Sequence, residues 1–144
     1  MSKVEDFLTP DEEKAVIVAI QEAEQNTSGE IRVHLEARSK MQPVDRAKEL
    51  FHFLHMDNTK NVNGVLFYVA VEDRILVLLG DEGIDQVVPP DFWESTRETV
   101  LVHFKEGRIK QGLVDGILQA GNQLKQHFPY GKGDINELPN TIST

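Results

Sequence analysis

From Glu30 to Arg38 the chain alternates strictly: Ile31, Val33, Leu35 and Ala37 fall on one side, and Arg32, His34, Glu36 and Arg38 on the other. That period of two predicts a strand with one buried face. Two later runs, Val65 to Val71 and Ile75 to Leu79, are apolar at every position, as expected of strands covered on both faces. Only Glu72, Asp73 and Arg74 separate them, a connection short enough to require an antiparallel hairpin. The first strand reaches Val65 through a helix instead, and a strand-helix-strand unit makes a parallel crossover.

Helical spacing accounts for most of the remainder. Thr9-Pro10-Asp11-Glu12 reads as a capping box with proline at the first helical position, and Val16, Ile17, Ile20 and Ala23 then share one face, which predicts a helix from about Pro10 to Gln25. After a loop at 39–42, Pro43 opens a second helix with Ala47, Leu50, Phe51 and Leu54 turned to a core, ending near His55 and Met56. Residues 84–88 suggest a short helical turn. A helix from Pro90 carries Phe92, Trp93, Thr96, Val100 and Phe104 inward and stops at Gly107. The last helix, from about Lys110 to His127, has an inner stripe of Leu113, Ile117, Ala120, Leu124 and Phe128. Gly112, Gly116 and Ala120 lie four apart on it and permit close approach to a neighbouring helix. The expected fold is α/β: a three-layer α/β/α sandwich with a small central mixed sheet and helices on both faces, in one domain over 1–128. The tail, 129–144, is expected to be irregular, with docking through Ile135, Leu138 and Ile142.

Composition narrows the function. With 144 residues the chain can bury an ordinary core, and with no cysteine it can form neither disulfides nor thiolate metal sites. A net charge of −9 disfavours nucleic acid and anionic lipid, both of which are bound mainly through Lys and Arg. There is no apolar run of membrane-spanning length and no signal-peptide pattern at the start. The expectation is a cytoplasmic monomer without a membrane segment.

Candidate chemistry collects at the strand ends. With parallel and hairpin pairing as above, Thr27-Ser28-Gly29-Glu30, Asn61-Val62-Asn63-Gly64 and Gly80-Asp81-Glu82-Gly83 converge on one edge of the sheet. They bring the carboxylates of Glu30, Asp81 and Glu82 and the amides of Asn61 and Asn63, with Asp57, Asn58 and Asp85 in reach. Such hard oxygen donors suit Ca2+, or Mg2+ in a tighter octahedron. The same residues also suit ordinary strand punctuation. No P-loop, dinucleotide fingerprint or nucleophile elbow is present, and the five histidines do not group at zinc spacings. If the site were catalytic, Asp81 or Glu30 would be the base of a metal-assisted phosphomonoesterase. A further possibility is a protein-binding surface on the polar face of the first strand, where Arg32, His34, Glu36 and Arg38 would project.

Taken in order, Thr27 to Val33, Asn63 to Ala70, Gly80 to Ile84, Phe104 to Gly107, Gly112-Leu113 and Gly116-Ile117 resemble a TPM domain over about Phe7 to Phe128. Asn136-Glu137-Leu138-Pro139 resembles endings of short bacterial members. The family takes its name from thylakoid-lumen phosphatase-like proteins, photosystem II repair proteins and a nematode receptor modulator. The resemblance implies an α/β/α sandwich with an acidic, divalent-cation-binding cleft and, in the plant lumenal member, acid phosphatase activity. The matching acidic and amide positions are Glu30, Asn63, Asp81 and Glu82. Many members carry a signal peptide and a membrane segment or glycine-rich tail, which this sequence does not show.

Overall fold

The computed structural model describes residues 7–25, 27–54, 56, 64–85, 88, 91–129 and 142–143. Helix α1 spans Pro10–Glu24 and begins as the sequence predicts. The Glu12 N–H donates to Thr9 Oγ1 at 3.2 Å, and the Thr9 N–H donates to Glu12 Oε1 at 2.9 Å, so two otherwise orphaned backbone donors are satisfied. Strand β1 (Glu30–Glu36), helix α2 (Pro43–Phe53) and strand β2 (Gly64–Ala70) form the expected crossover. β1 and β2 run parallel, with Glu30 opposite Gly64 and Glu36 opposite Ala70. Strand β3 (Ile75–Gly80) returns antiparallel to β2, with Val65 opposite Gly80.

A short helix α3 (Glu82–Asp85) follows, then α4 (Glu94–Lys105) and α5 (Ile109–His127). Gly107 closes the α4–α5 connection at φ 77°, a left-handed conformation that glycine adopts without cost. In the tail, Ile142–Ser143 form β4 and pair parallel with β1 at Val33 and His34, so the sheet order is β3-β2-β1-β4. Ile142 is buried there, as expected of a docked residue. Ile135 and Leu138 lie outside the described residues.

The sheet has a core on each face. On one, Ile31, Val33 and Leu35 of β1, Val65, Phe67 and Val69 of β2, and Leu76 and Leu78 of β3 pack on α1, α4 and α5. On the other, Leu66, Tyr68, Ala70 and Val77 meet Ala47, Leu50, Phe51 and Met56 of the α2 segment. The layers are therefore α/β/α. Close packing of α5 follows from its small residues: a Cβ at Gly116 would sit 2.3 Å from Val100 Cγ2 of α4, and one at Gly121 would sit 2.6 Å from the Ala23 Cβ of α1.

The outer face of β1 departs from expectation. His34 is only 3% exposed, and the Glu36 side chain is 15% exposed. The alternation that reads as a solvated face instead buries His34 and Glu36 in a polar network under α2, leaves Arg32 half-buried, and projects Arg38, which pairs with Glu72. Polar groups tolerate burial when they satisfy one another, as His34 and Glu36 do, whereas the buried Arg32 Nε has no hydrogen-bond partner among the described residues.

Candidate functional site

The register delivers the predicted convergence. Glu30 lies directly opposite Gly64, and the Asp81 N–H donates to the Gly64 carbonyl at 2.9 Å. Glu30, Gly64 and Asp81 thus form one row across the end of the sheet, on the α2 face. Their backbones span two strand spacings, roughly 9–10 Å. Gly64 puts no side chain between the two carboxylates. Met56 lies against Gly64, its carbonyl oxygen 3.4 Å from where a Cβ would stand.

Both carboxylates are secluded: Glu30 is 3% and Asp81 8% exposed. Asp81 Oδ1 accepts the Glu82 N–H at 2.7 Å and so caps α3. Glu82 itself is exposed at the start of that helix, and Asp85 ends it. Asp57, Asn58, Asn61 and Asn63 lie outside the described residues. Thr27, by contrast, has a structural task. Its hydroxyl donates to the Phe128 carbonyl and accepts the Gly29 N–H at 3.0 Å, while the Ser28 N–H donates to the same carbonyl at 2.8 Å. These bonds tie the turn before β1 to the end of α5.

One carboxyl escaped the sequence reading. Glu24, at the end of α1, accepts the Ile31 N–H through Oε2 at 2.7 Å and so satisfies a backbone donor on the β1 edge beyond the reach of β4. Burial pushes its pKa from 4.5 up to about 7; the Ile31 N–H opposes this and the neighbouring Glu30 adds to it. The only sequence signal was an acidic residue one turn from a strand whose first residue is also acidic. Among the described residues, no three His, Cys, Asp or Glu side chains gather closely enough to hold a metal ion. The donors at the row are nonetheless hard carboxylate oxygens, the kind that Ca2+ and Mg2+ prefer.

The second polar cluster lies toward the other end of β1. Glu36 accepts from Arg46 Nη2 at 2.9 Å, from Arg46 Nε at 3.1 and 3.3 Å, and from the Tyr68 hydroxyl at 2.5 Å. His34 Nε2 lies 3.0 Å from Glu36, and its Nδ1 lies 2.9 Å from the Ser143 hydroxyl of β4. Burial would raise the Glu36 pKa, but the bonds from Arg46, Tyr68 and His34 outweigh it and hold the carboxyl at about 2. Tyr68 is pushed up to about 12 by burial and by its bond to Glu36. Burial also lowers His34 despite the pull of Glu36. Arg46 also pairs with Glu49 on the next turn of α2, and the network as a whole ties α2 and β4 to the sheet.

Comparison with known proteins agrees with this architecture. A family model described as TPM domain matches residues 1–123. The NMR structure of BA42 protein from the psychrophilic bacterium Bizionia argentinensis superposes with a TM-score of 0.91 at 60% identity, covering 99% of each chain. The N-terminal domain of a protein from P. gingivalis superposes with a TM-score of 0.70 at 19% identity, over 85% of this chain and 79% of that one; at that identity the likeness is one of fold. A search of curated proteins finds no match. Among the described residues no helix is long and apolar enough to cross a membrane.

Proposed function

The chain belongs to the TPM-domain family, and on that premise we propose that it is a divalent-cation-binding module, taking Ca2+ in preference to Mg2+ at the Glu30–Gly64–Asp81 end of the sheet. The observation that carries the reading is the register. Two carboxylates, each less than a tenth exposed, share one face on either side of a glycine, with Glu24 close enough to Glu30 for their charges to interact. Carboxylates gathered on one face offer the hard oxygen donors that Ca2+ and Mg2+ take, and a bound cation would offset the repulsion between Glu24 and Glu30.

Glu30 and Asp81 would be the protein's anchoring donors. Asn63 and Asp57, adjacent in sequence to Gly64 and Met56, are the next candidates, followed by Glu82 and Asp85. The wider spacing and higher ligand count of Ca2+ suit donors drawn from separate segments better than the tight Mg2+ octahedron. The module would act by presenting these loops, ordered by the ion, to a partner protein. Calorimetric titration of chelator-treated protein tests the proposal: Ca2+ should bind with a stoichiometry of one, Glu30→Gln and Asp81→Asn should each weaken it at least about tenfold, and absence of binding by the parent would refute it.

Glu24 favours a second reading. A carboxyl with a pKa of about 7 is matched to general acid–base work at neutral pH, so metal-assisted phosphomonoester hydrolysis is the alternative activity. A bound ion would polarise a phosphoryl oxygen, while Glu24, Glu30 or Asp81 would carry the proton. Turnover of an aryl phosphate that persists after purification and disappears in Glu24→Gln would support it; no turnover between pH 4 and 8 with Ca2+ or Mg2+ would dismiss it.

A further inference from the structure

The free edge of the sheet carries a different feature. β3 is the outermost strand on its side, and its residues, Ile-Leu-Val-Leu-Leu-Gly, include no charge and no proline. Natural edge strands are normally blunted by lysine, proline, bulges or a covering element, because a bare edge pairs with other chains. The antiparallel ladder determines which groups face outward. The Asp81 N–H bonds to the Gly64 carbonyl, so by alternation residues 79, 77 and 75 also bond to β2. Leu76 and Leu78 therefore direct their N–H and C=O groups away from the sheet, and among the described residues no further strand receives them.

Beside this edge runs a groove of about 660 Å³ between β3 and α4. Leu78 and Trp93 supply apolar surface, and Trp93 closes the end near Gly80, where a Cβ would lie 3.6 Å from its indole nitrogen. Asp91, Glu94 and Glu98 set three carboxylates against the single guanidinium of Arg97 along the wall. Among the described residues none of these four forms an ion pair. The groove is therefore both unpaired at the backbone and negative at the rim, in a chain of net charge −9.

We infer that β3 is a docking edge for an extended, basic segment of a partner protein, which adds as a fifth strand and places alternate Arg or Lys residues in the groove against α4. Backbone pairing at Leu76 and Leu78 supplies register without sequence preference. Specificity comes from the alternate side chains: their aliphatic stems cover Leu78, an arginine stacks on Trp93, and the head groups meet Glu94 and Glu98. A segment with acidic residues in those positions meets like charge and is rejected. This inference rests on neither the cation nor the network beneath α2.

The test uses the full chain in chelator, so that its outcome is independent of Ca2+, and as probe a blocked heptapeptide alternating threonine and arginine. Titration followed by amide NMR should shift Leu76 and Leu78 and slow their hydrogen exchange at least about tenfold at saturation. Glu94→Lys combined with Glu98→Lys, both on the exposed side of α4, should weaken binding about tenfold while leaving the spectrum of the free protein folded. The matching threonine–glutamate peptide should not bind. The inference is overturned by arginine-peptide binding without protection at Leu76 and Leu78, by equal binding of the glutamate peptide or to the double variant, or by no binding. It is also overturned if those amides become protected through self-association of the chain alone.

Discussion

Replacing Glu24 by glutamine should make the protein more stable at neutral pH and leave it unchanged in mild acid. The carboxyl has a pKa of 4.5 when unfolded and about 7 in the fold. Below pH 4.5 it is protonated in both states. Between the two values the folded state keeps a proton that the unfolded state has released, so stability falls as pH rises, and above pH 7 the loss is complete. At 1.36 kcal/mol per pH unit the displacement is worth about 3 kcal/mol. Glutamine keeps an oxygen to accept the Ile31 N–H but never ionises. Urea denaturation of both proteins in chelator, at intervals from pH 4.5 to 8, gives the difference in unfolding free energy directly. His34, whose pKa is lowered by burial, contributes stability in the opposite sense, lost as pH falls below its unfolded value. It is common to both proteins and cancels in the difference. Glu36, held at about 2, loses its contribution only as pH falls below the unfolded carboxylate value, outside this window. The difference curve should rise from near zero at pH 4.5 to about 3 kcal/mol in favour of glutamine above pH 7; a flat curve would refute the reasoning.

Two further outcomes follow from packing and hydrogen bonding. Tyr68→Phe removes the hydroxyl that donates to Glu36 and should cost about 1–3 kcal/mol by urea denaturation, the range for a hydrogen bond to a charged group. Ultraviolet titration should show one tyrosine ionising near 12 in the parent and not in this variant. Gly121→Ala should gain up to about 1 kcal/mol of helix propensity yet destabilise overall by about 1–3 kcal/mol. The added Cβ meets Ala23 at its Cβ (2.6 Å), its Cα (2.9 Å) and its carbonyl oxygen (3.0 Å), and a backbone cannot swing aside as a flexible side chain would.

Much of the fold was legible because it rests on local signals. Three residues between two apolar runs leave room only for a hairpin, and a helix between two strands leads to a parallel pair, so the sequence itself implies the row of Glu30, Gly64 and Asp81. The outer face of β1 was misread because alternation reports polarity, and a polar side chain can lie either in water or against its complement. The corrective signal was present: β2 and β3 are apolar on both faces, so their sheet has two covered faces, and β1 beside them must share the cover. Arg46 and Tyr68, far from Glu36 in sequence, complete that network only once α2 has folded over the sheet. Glu24 was missed for a similar reason. Its environment is made by a turn that brings Ile31 back past the end of α1, a closure that no helical or strand period encodes. The pairing of β4 likewise depends on an edge of β1 that its own sequence does not mark as open.

The most direct measurement is a Ca2+ titration of chelator-treated protein followed by amide NMR. The proposed site predicts saturable shifts centred on Glu30, Gly64 and Asp81, at the shared end of β1, β2 and β3, and their disappearance in Asp81→Asn. Undisturbed amides at all three positions up to millimolar Ca2+, or shifts that persist unchanged in Asp81→Asn, would contradict it.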